Sequence, residues 1–462
     1  MTDIGMLTDI GMIPGTLLFI VLAIFGSMSL FFTWSHRQTV RSQVVLFLIA
    51  FSARFAFSIW VYQFGLVNIL HDEDSSGWAL GIPLQRLWSL QRLSLIDLPY
   101  TLLGAFRGEH YGYKYMLGAL FYVTNSPARM VAAVLNCFFG ALTVVFAYRI
   151  ARTLFSEWVA IRTGWWTCLL PSLIVWSAQT VKEPVVIFLE TLALYGCVNL
   201  KRSGFSVRHV ALCALTTILV IPFRFYVAYI AAGAIVFSLL LPHLTRRKMS
   251  IASALVVVLL FIPLLLLSGV LIRHEARFDR FDAQFISSYR HGLAVGAGSG
   301  VETNYDLRTN QGLAMATLVG SSYLLLAPFP WELGGTMRKM LTTPELFVWW
   351  WLVVVALIPG LWYSVRKRFS DIQPLLFFVI GLGLLYSVTF GNVGLAYRQR
   401  AQLLPWLVII AMVGLERRAL TRRVRQIRLA SMVARNRGGA FPSRSQLEIS
   451  PQNTDGNTVG QQ

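Results

Sequence analysis

Long, uninterrupted apolar blocks dominate this chain and constrain what it can fold into. A helix of about 17–25 apolar residues is long enough to cross the hydrocarbon core of a membrane. Hydrophobic residues make up 56% of the 462 residues and charged ones only 13%, which excludes an ordinary soluble enzyme. The sequence therefore predicts an all-α, polytopic membrane helix bundle with about eleven spans. We place them at residues 12–33, 43–66, 128–149, 159–177, 184–200, 208–222, 225–242, 251–272, 345–364, 373–391 and 401–416.

Charge is distributed unevenly between the two sets of links that join these spans. The chain has 40 basic and 21 acidic residues, a net charge of +19. One set of links, together with the tail from residue 417, holds 23 of the basic residues and only five acidic ones, so by the positive-inside rule this set is cytoplasmic. We expect this charge to set topology and to favour anionic membrane lipids. We expect no nucleic-acid partner, because no module of interleaved aromatic and basic residues is present.

Two long links fall on the opposite, outer side, at residues 67–127 and 273–341. The glycine-rich stretch Gly292–Gly300 lacks the lysine and the Ser/Thr of a phosphate-binding loop. In the first link, the partly apolar stretches 79–105 and 111–123 are interrupted or too short to span, and we predict interfacial helices there. Their aromatic residues are expected at headgroup level: Trp78, Trp88, Tyr100, Tyr111 and Tyr113.

The first outer link opens with three adjacent carboxylates, Asp72, Glu73 and Asp74. These charges repel one another unless a cation, a metal or a substrate proton faces them. One carboxylate within hydrogen-bond reach of an acceptor hydroxyl suffices as a general base, and Asp74 and Asp72 are the candidates. A solvated loop whose charges keep it outside is the competing interpretation. The cluster leaves room for a divalent cation but is not a complete ligand set, so no metal site is assigned.

Basic residues also stand at the outer ends of predicted spans. Lys182, Arg224, Arg398 and Arg400 all fall at the level of the acidic cluster, where they would form a cationic pocket for a phosphate. Scattered interface anchors are the alternative. Our candidate substrate-binding residues are Glu73, Lys114, Lys182, Glu183, Arg224, Arg398 and Arg400.

Two ionisable residues, Arg54 and Glu190, lie in the middle of predicted spans. Such residues are costly in a membrane and usually face the interior of the bundle or a wet cavity. We expect an inward-facing position for both, with a structural ion pair or snorkelling as the alternative.

Four motifs follow one another along the chain in an informative order. They are Asp74 followed by Trp78, a span that opens with Arg129 and contains Asn136, a span containing Pro171 that leads into Lys182 and Glu183, and Tyr397-Arg398-Gln399-Arg400 shortly before Pro405. In this order they resemble the bacterial GT-C superfamily of integral-membrane glycosyltransferases, the group of the protein mannosyltransferases and the lipid A aminoarabinose transferases. The resemblance covers about residues 43–416.

The resemblance implies inverting transfer of a sugar from a polyprenyl-phosphate donor to a lipid, glycan or protein acceptor on the outer face of the bacterial inner membrane. It divides the chain into an extra N-terminal span with its inner link (1–42), a catalytic membrane domain (43–416) and a basic, disordered cytoplasmic tail (417–462). Two alternatives stay open: a glycan polymerase or ligase with a lipid-diphosphate donor, and a transporter or flippase of lipid-linked sugars. The absence of a convincing internal repeat disfavours the transporter.

Overall fold

The computed structural model describes residues 10–32, 37–66, 73–108, 111–241, 282–295, 299–302, 305–332 and 337–436. The predicted span 251–272 and Asp72 lie outside these residues, as do the side chains of Glu73 and Asp74. Within the described ranges the chain is helical, without a β-strand, and has one isolated β-bridge between Gly300 and Asn392.

Seventeen α-helices are present in the described part of the chain. They are α1 (Met12–Phe32), α2 (Arg37–Gln63), α3 (Ile82–Leu90), α4 (Leu98–Leu102), α5 (Tyr111–Thr124), α6 (Arg129–Leu154), α7 (Glu157–Leu169), α8 (Pro171–Ser177), α9 (Glu183–Ser203), α10 (Val207–Val220), α11 (Phe225–Leu240), α12 (Ala283–Val295), α13 (Asn310–Leu326), α14 (Met337–Leu352), α15 (Ile358–Lys367), α16 (Phe369–Val388) and α17 (Val393–Asn436). Short 3-10 helices cover Glu73–Gly81, Leu103–Arg107 and Pro330–Glu332, and a π-helical turn, Val353–Leu357, joins α14 to α15.

Six of these helical segments are long and apolar enough to cross a membrane: α1, α2, α6, α9, α16 and the α14–α15 segment from Thr343 to Lys367. Helices α7 and α8, bent by 55° at Leu170, form a seventh if the pair is one broken span. The chain is therefore a multi-pass helical membrane protein, but the count of eleven is not confirmed. Helices α10 and α11 are apolar but have only 14 and 16 residues, about 21 and 24 Å at 1.5 Å per residue, which is shorter than a hydrocarbon core of about 30 Å.

Helix α6 is the central element of the bundle. It packs against α2, α7 and α9, and a run of small and apolar residues from Met130 to Val134 is fully buried. Helix α1 packs on α2 and α6, with Gly15 against Met130 and Gly26 against Phe47. Helix α9 contacts α10 and α11 on its other side, and α16 packs against α11 and α13.

The first outer link forms helices where interfacial helices were predicted, but two of its aromatic residues are buried inside the protein. Trp88 is 2% exposed, because α3 and α5 pack face to face, with Gly118 of α5 beside the Trp88 indole. Tyr113 is 4% exposed, because its ring lies beside Gly77 and its hydroxyl accepts a hydrogen bond from Asn136 on α6. Tyr100 and Tyr111 are exposed. The apolar residues of these stretches, which were predicted to face the membrane, thus partly serve to pack helices against one another.

The chain divides into two compact units, Met1–Gly414 and Leu415–Gln462. The first includes α1 and the predicted catalytic region up to Gly414. The second contains the tail that was predicted to be disordered. Its residues up to Asn436 continue the helix α17, and the side chains described there, up to Met432, are mostly exposed. Residues 437–462 lie outside the described part.

Candidate functional site

The turn between α8 and α9, residues 178–182, carries Lys182 and leads into Glu183. Three of its carbonyl oxygens accept hydrogen bonds from neighbouring helices. The Asn136 amide, fully buried on α6, donates to Gln179 O at 2.6 Å and to Val181 O at 2.7 Å. The Ser58 hydroxyl of α2 donates to Ala178 O at 2.8 Å. Because buried carbonyls must be satisfied, these bonds fix the backbone of the turn.

Arg54 holds the other end of the short helix α8. Its guanidinium, 1% exposed, donates to Thr167 O and Cys168 O, each at 3.2 Å, and to Ala50 O at 3.1 Å. Thr167 and Cys168 are in the last turn of α7, where the chain breaks before Pro171 and carbonyls lose their helical donors. The inward-facing position predicted for Arg54 is confirmed. The carbonyl end of α7 carries a partial negative charge and stabilises the Arg54 guanidinium. This contact takes the place of the ion pair with an acidic residue that was the alternative.

Glu183, the first residue of α9 and fully buried, is the centre of a cationic cluster. Its carboxylate pairs with Arg224, which precedes α11, and with the Nε of Arg398 on α17 at 3.2 Å. The charge of Lys182 also acts on this carboxylate. Three of the predicted basic residues are thus brought together around one carboxylate, and the group, defined here as the Glu183 cluster, has an excess of positive charge.

The two arginines of the Glu183 cluster differ in accessibility. Arg224 is 4% exposed, and its Nη1 donates to the hydroxyls of Tyr226 at 2.8 Å and Tyr386 at 3.1 Å. Tyr386 in turn donates to Gln402. Arg398 is 14% exposed and Lys182 is half-buried. Arg224 therefore supports the carboxylate from within, while Arg398 and Lys182 are the more accessible cations of the cluster.

Glu190, two helical turns after Glu183 on α9, is fully buried as predicted. Neither of its carboxyl oxygens has a hydrogen-bond donor among the described residues. The nearest charge acting on it is that of Arg224. Glu190 therefore lies on the same side of α9 as Glu183, two turns further along the helix.

Helix α12 of the second outer link packs on the turn between α16 and α17. Arg290 donates from Nη1 to Val388 O at 3.1 Å, and its backbone carbonyl lies so close to Gly391 that a Cβ there would be 2.5 Å from it. Burial raises the pKa of the neighbouring Tyr289, Tyr226 adds to the rise, and the charges of Arg224 and Arg398 oppose it.

The segment that carries Asp74 packs on the turn between α8 and α9, residues 178–182. Gly77 in the 3-10 helix Glu73–Gly81 is pressed against Thr180, where a Cβ would be only 2.6 Å from the carbonyl oxygen. The guanidinium of Arg129 lies 5.1 Å from the ring of Trp78. The backbone of Glu73 and Asp74 is therefore one helical turn from a residue in contact with the Lys182 turn.

Lys114 lies on the first turn of α5, with its ammonium 5.5 Å from the centre of the Tyr111 ring. The start of α5 is tied to the segment before Arg224, since Gly112 N donates to Pro222 O at 2.9 Å. Lys114 therefore lies at the end of the bundle that contains the Glu183 cluster.

Arg400 belongs to a different group of residues, the Glu345 cluster. Glu345 on α14 accepts hydrogen bonds from Ser172 at 2.5 Å and from Tyr397 at 2.7 Å. Arg400, 1% exposed, donates to Ala327 O at 2.9 Å and to Leu325 O at 3.3 Å. Its guanidinium also lies 4.7 Å from the centre of the Tyr397 ring. A cavity of about 360 Å³, lined mainly by apolar residues of α7, α8 and α14, borders Glu345.

Sequence reasoning did not identify Tyr226, Tyr386, Gln402 and Tyr289 as parts of the site. Their only signal is a polar group inside or beside an apolar block, which many structural residues share. Among the described residues, no group of three or more His, Cys, Asp or Glu side chains comes together as a metal site.

Comparison with known proteins found few relatives. No protein-family model and no curated protein matches the chain. Among solved structures, the chain is similar to the archaeal oligosaccharyltransferase AglB from Archaeoglobus fulgidus, in complex with an inhibitory peptide and a dolichol-phosphate. The identity is 12% and the TM-score 0.40, and the match covers 73% of this chain and 45% of that one. The chain thus spans less than half the length of this structure.

Proposed function

We propose that this protein is a membrane glycosyltransferase that moves a sugar from a polyprenyl-phosphate donor to a lipid, glycan or protein of the cell envelope. The observation that carries the proposal is the Glu183 cluster. Three cations surround one buried carboxylate, beside the backbone of the Asp74 segment. This juxtaposition supplies an anion-binding group next to a candidate base, as displacement of a lipid phosphate from a sugar requires.

In this proposal Arg398 and Lys182 bind the phosphate of the donor. They are the cluster's more accessible cations, and a guanidinium can donate to two phosphate oxygens at once. Arg224 acts through Glu183, because its two terminal nitrogens are engaged by Glu183, Tyr226 and Tyr386. Arg400 has no place in this pocket, since its guanidinium is enclosed in the Glu345 cluster.

The transfer itself is a single displacement. Asp74, or Asp72 beside it, takes the proton of the acceptor hydroxyl. The hydroxyl oxygen then bonds to the anomeric carbon from the face opposite the phosphate, which inverts that carbon. The bond from the anomeric carbon to the phosphate oxygen breaks, and the polyprenyl phosphate leaves with the electron pair. Fixed cations stabilise the charge that develops on it. Glu73 and Lys114 are proposed as further substrate contacts on the same loop.

The membrane setting fits such a donor. Several apolar helices give a polyprenyl chain an environment in which to stay while its phosphate lies at the headgroup level. By the distribution of basic links, the Glu183 cluster faces the outside of the bacterial cytoplasmic membrane, where envelope acceptors are found. No nucleotide or nucleic acid takes part.

The test separates donor binding from transfer. Arg398→Ala should weaken binding of polyprenyl phosphate to the purified protein at least tenfold, since a charge-assisted hydrogen bond contributes about 1.5–3 kcal/mol. Asp74→Asn should leave that binding within twofold of wild type and abolish transfer of labelled sugar from polyprenyl-phosphate donors to membrane acceptors, and Asp72→Asn identifies which aspartate is the base.

The matched control is Arg366→Ala, an arginine at the end of α15 that stacks on Trp362 in a predicted cytoplasmic link. It should change neither binding nor transfer. Equal effects of Arg366→Ala and Arg398→Ala would remove the phosphate assignment. Full transfer activity in both aspartate variants would remove the general base.

A further inference from the structure

Helix α12 presents two aromatic side chains one turn apart, Phe285 and Tyr289. Their ring centroids are 6.5 Å apart and the ring planes differ by 14°, so the two rings are nearly parallel. Phe285 is 44% exposed and Tyr289 46%. Large exposed aromatic residues of this kind mark binding surfaces more often than isolated aliphatic ones.

This aromatic pair is held at a defined place by the chain around it. Arg290 anchors α12 to Val388, and Gly391 packs directly on the Arg290 backbone. The residues after α12 are tied to the same turn, because Val301 N donates to Gly391 O at 2.9 Å and Val393 N donates to Ser299 O at 3.0 Å. The aromatic pair is therefore fixed relative to the beginning of α17.

The helices on both sides of the same turn contact the Glu183 cluster. Arg398 lies in the second turn of α17, and Tyr386, which receives a hydrogen bond from Arg224, precedes Val388 by two residues. The charges of Arg224 and Arg398 also oppose the rise in the pKa of Tyr289, in agreement with this placement. The aromatic pair and the partly exposed Arg398 are thus both held by the short turn between α16 and α17.

We infer that Phe285 and Tyr289 form the subsite for the sugar ring of the donor, a pyranose joined to phosphate. This inference rests on the proposed function. In a sugar phosphate the ring is bonded to the phosphate oxygen, so a ring whose phosphate is bound by Arg398 must lie within a few ångströms of that residue. The C–H face of a pyranose carries slight positive charge and matches the negative face of an aromatic ring, while the ring hydroxyls stay free to bind water or polar groups.

Binding of matched lipids tests the subsite. The probes are bare undecaprenyl phosphate and a panel of undecaprenyl-phosphate pyranoses carrying glucose, galactose, mannose or N-acetylglucosamine. Wild-type protein should bind at least one member of the panel more tightly than the bare lipid. Tyr289→Ala and Phe285→Ala should each weaken binding of that member tenfold or more and leave binding of the bare lipid within twofold. Tyr289→Phe, which keeps the ring, should restore most of the affinity.

The control is Tyr100→Ala, which removes an aromatic side chain that is 74% exposed on α4 of the first outer link and should have no effect. Equal losses for bare and sugar-linked lipids in Tyr289→Ala would overturn the subsite and show that the pair contacts the lipid or the membrane. Preference of wild type for no member of the panel over the bare lipid would also overturn it. The proposed function fails separately, if wild type does not bind bare undecaprenyl phosphate or if Arg398→Ala binds it normally.

Discussion

Arg398 and Arg400 are two residues apart on α17, yet they belong to different clusters. Successive residues of an α-helix are rotated by about 100°, so these two side chains leave the helix on nearly opposite sides. Arg398 pairs with Glu183 together with Arg224. Arg400 donates to the carbonyls of Leu325 and Ala327 on the side where Glu345 lies.

The two clusters differ in charge balance and in access. Around Glu183 three cations share one carboxylate, and Arg398 is partly exposed. In the Glu345 cluster one arginine faces one carboxylate, both are buried, and two hydroxyls satisfy the carboxylate oxygens. An open cluster with excess positive charge can receive an anion, whereas a closed and balanced one holds helices together. Arginine content alone does not distinguish a ligand site from a structural contact.

The largest effect is expected for Glu183→Gln. This substitution keeps the shape of the side chain but leaves Arg224, which is buried, without its counter-charge, and breaking a buried pair costs about 3 kcal/mol or more. The free energy of unfolding in mixed micelles measures the loss. Glu157→Gln is the matched control, since Glu157 pairs with Arg152 at a site where the two side chains are 46% and 33% exposed, and solvent-accessible pairs contribute less than about 1 kcal/mol. Equal losses would contradict the central role of Glu183.

Arg400→Ala should have a smaller but clear effect on stability, about 2 kcal/mol, because the buried Ala327 carbonyl loses its side-chain donor. The Leu325 carbonyl keeps the indole N–H of Trp349 at 2.7 Å. Binding of polyprenyl phosphate should be unchanged in whatever fraction stays folded. Arg398→Ala should show the reverse pattern, with weak binding and nearly normal stability. If Arg400→Ala weakened binding at normal stability, the division into two clusters would be wrong.

The smallest effect is expected for Glu345→Gln, about 1 kcal/mol or less. The hydroxyls of Ser172 and Tyr397 can rotate to donate to the amide oxygen or accept from the amide nitrogen, so no buried group is left without a partner. The same unfolding measurement in mixed micelles checks this value. A loss as large as that of Glu183→Gln would mean that the charge of Glu345 stabilises Arg400 more than the backbone carbonyls do.

Much of the fold could be predicted because a membrane span needs only length and apolarity. The apolar blocks that become α1, α2, α6, α9 and α16 are visible in the sequence. The number of spans was harder to predict, since α10 and α11 are buried partly by neighbouring helices, so that apolarity alone does not show whether they cross the membrane.

Part of the candidate site could also be predicted from the sequence. Charged residues are rare in apolar blocks, so Lys182, Glu183, Arg224 and Arg398 are conspicuous in the sequence, and three of the four predicted basic residues do meet. The burial of Trp88 was not predictable in the same way. An aromatic residue in a short amphipathic stretch can face lipid or another helix, and only the packing of α3 on α5 decides between them.

The amino-acid sequence alone specifies a helical membrane protein, the side on which basic residues accumulate, and the small set of polar residues able to do chemistry. These follow from hydrophobicity and charge, which act on each segment separately. The tertiary structure decides which of those polar residues meet: that Arg398 joins Glu183 while Arg400 does not. It also brings α12 from a distant link onto the turn between α16 and α17. The contacts of Arg398, of Arg400 and of α12 on the α16–α17 turn depend on how helices rotate and pack against one another, and therefore on many distant residues at once.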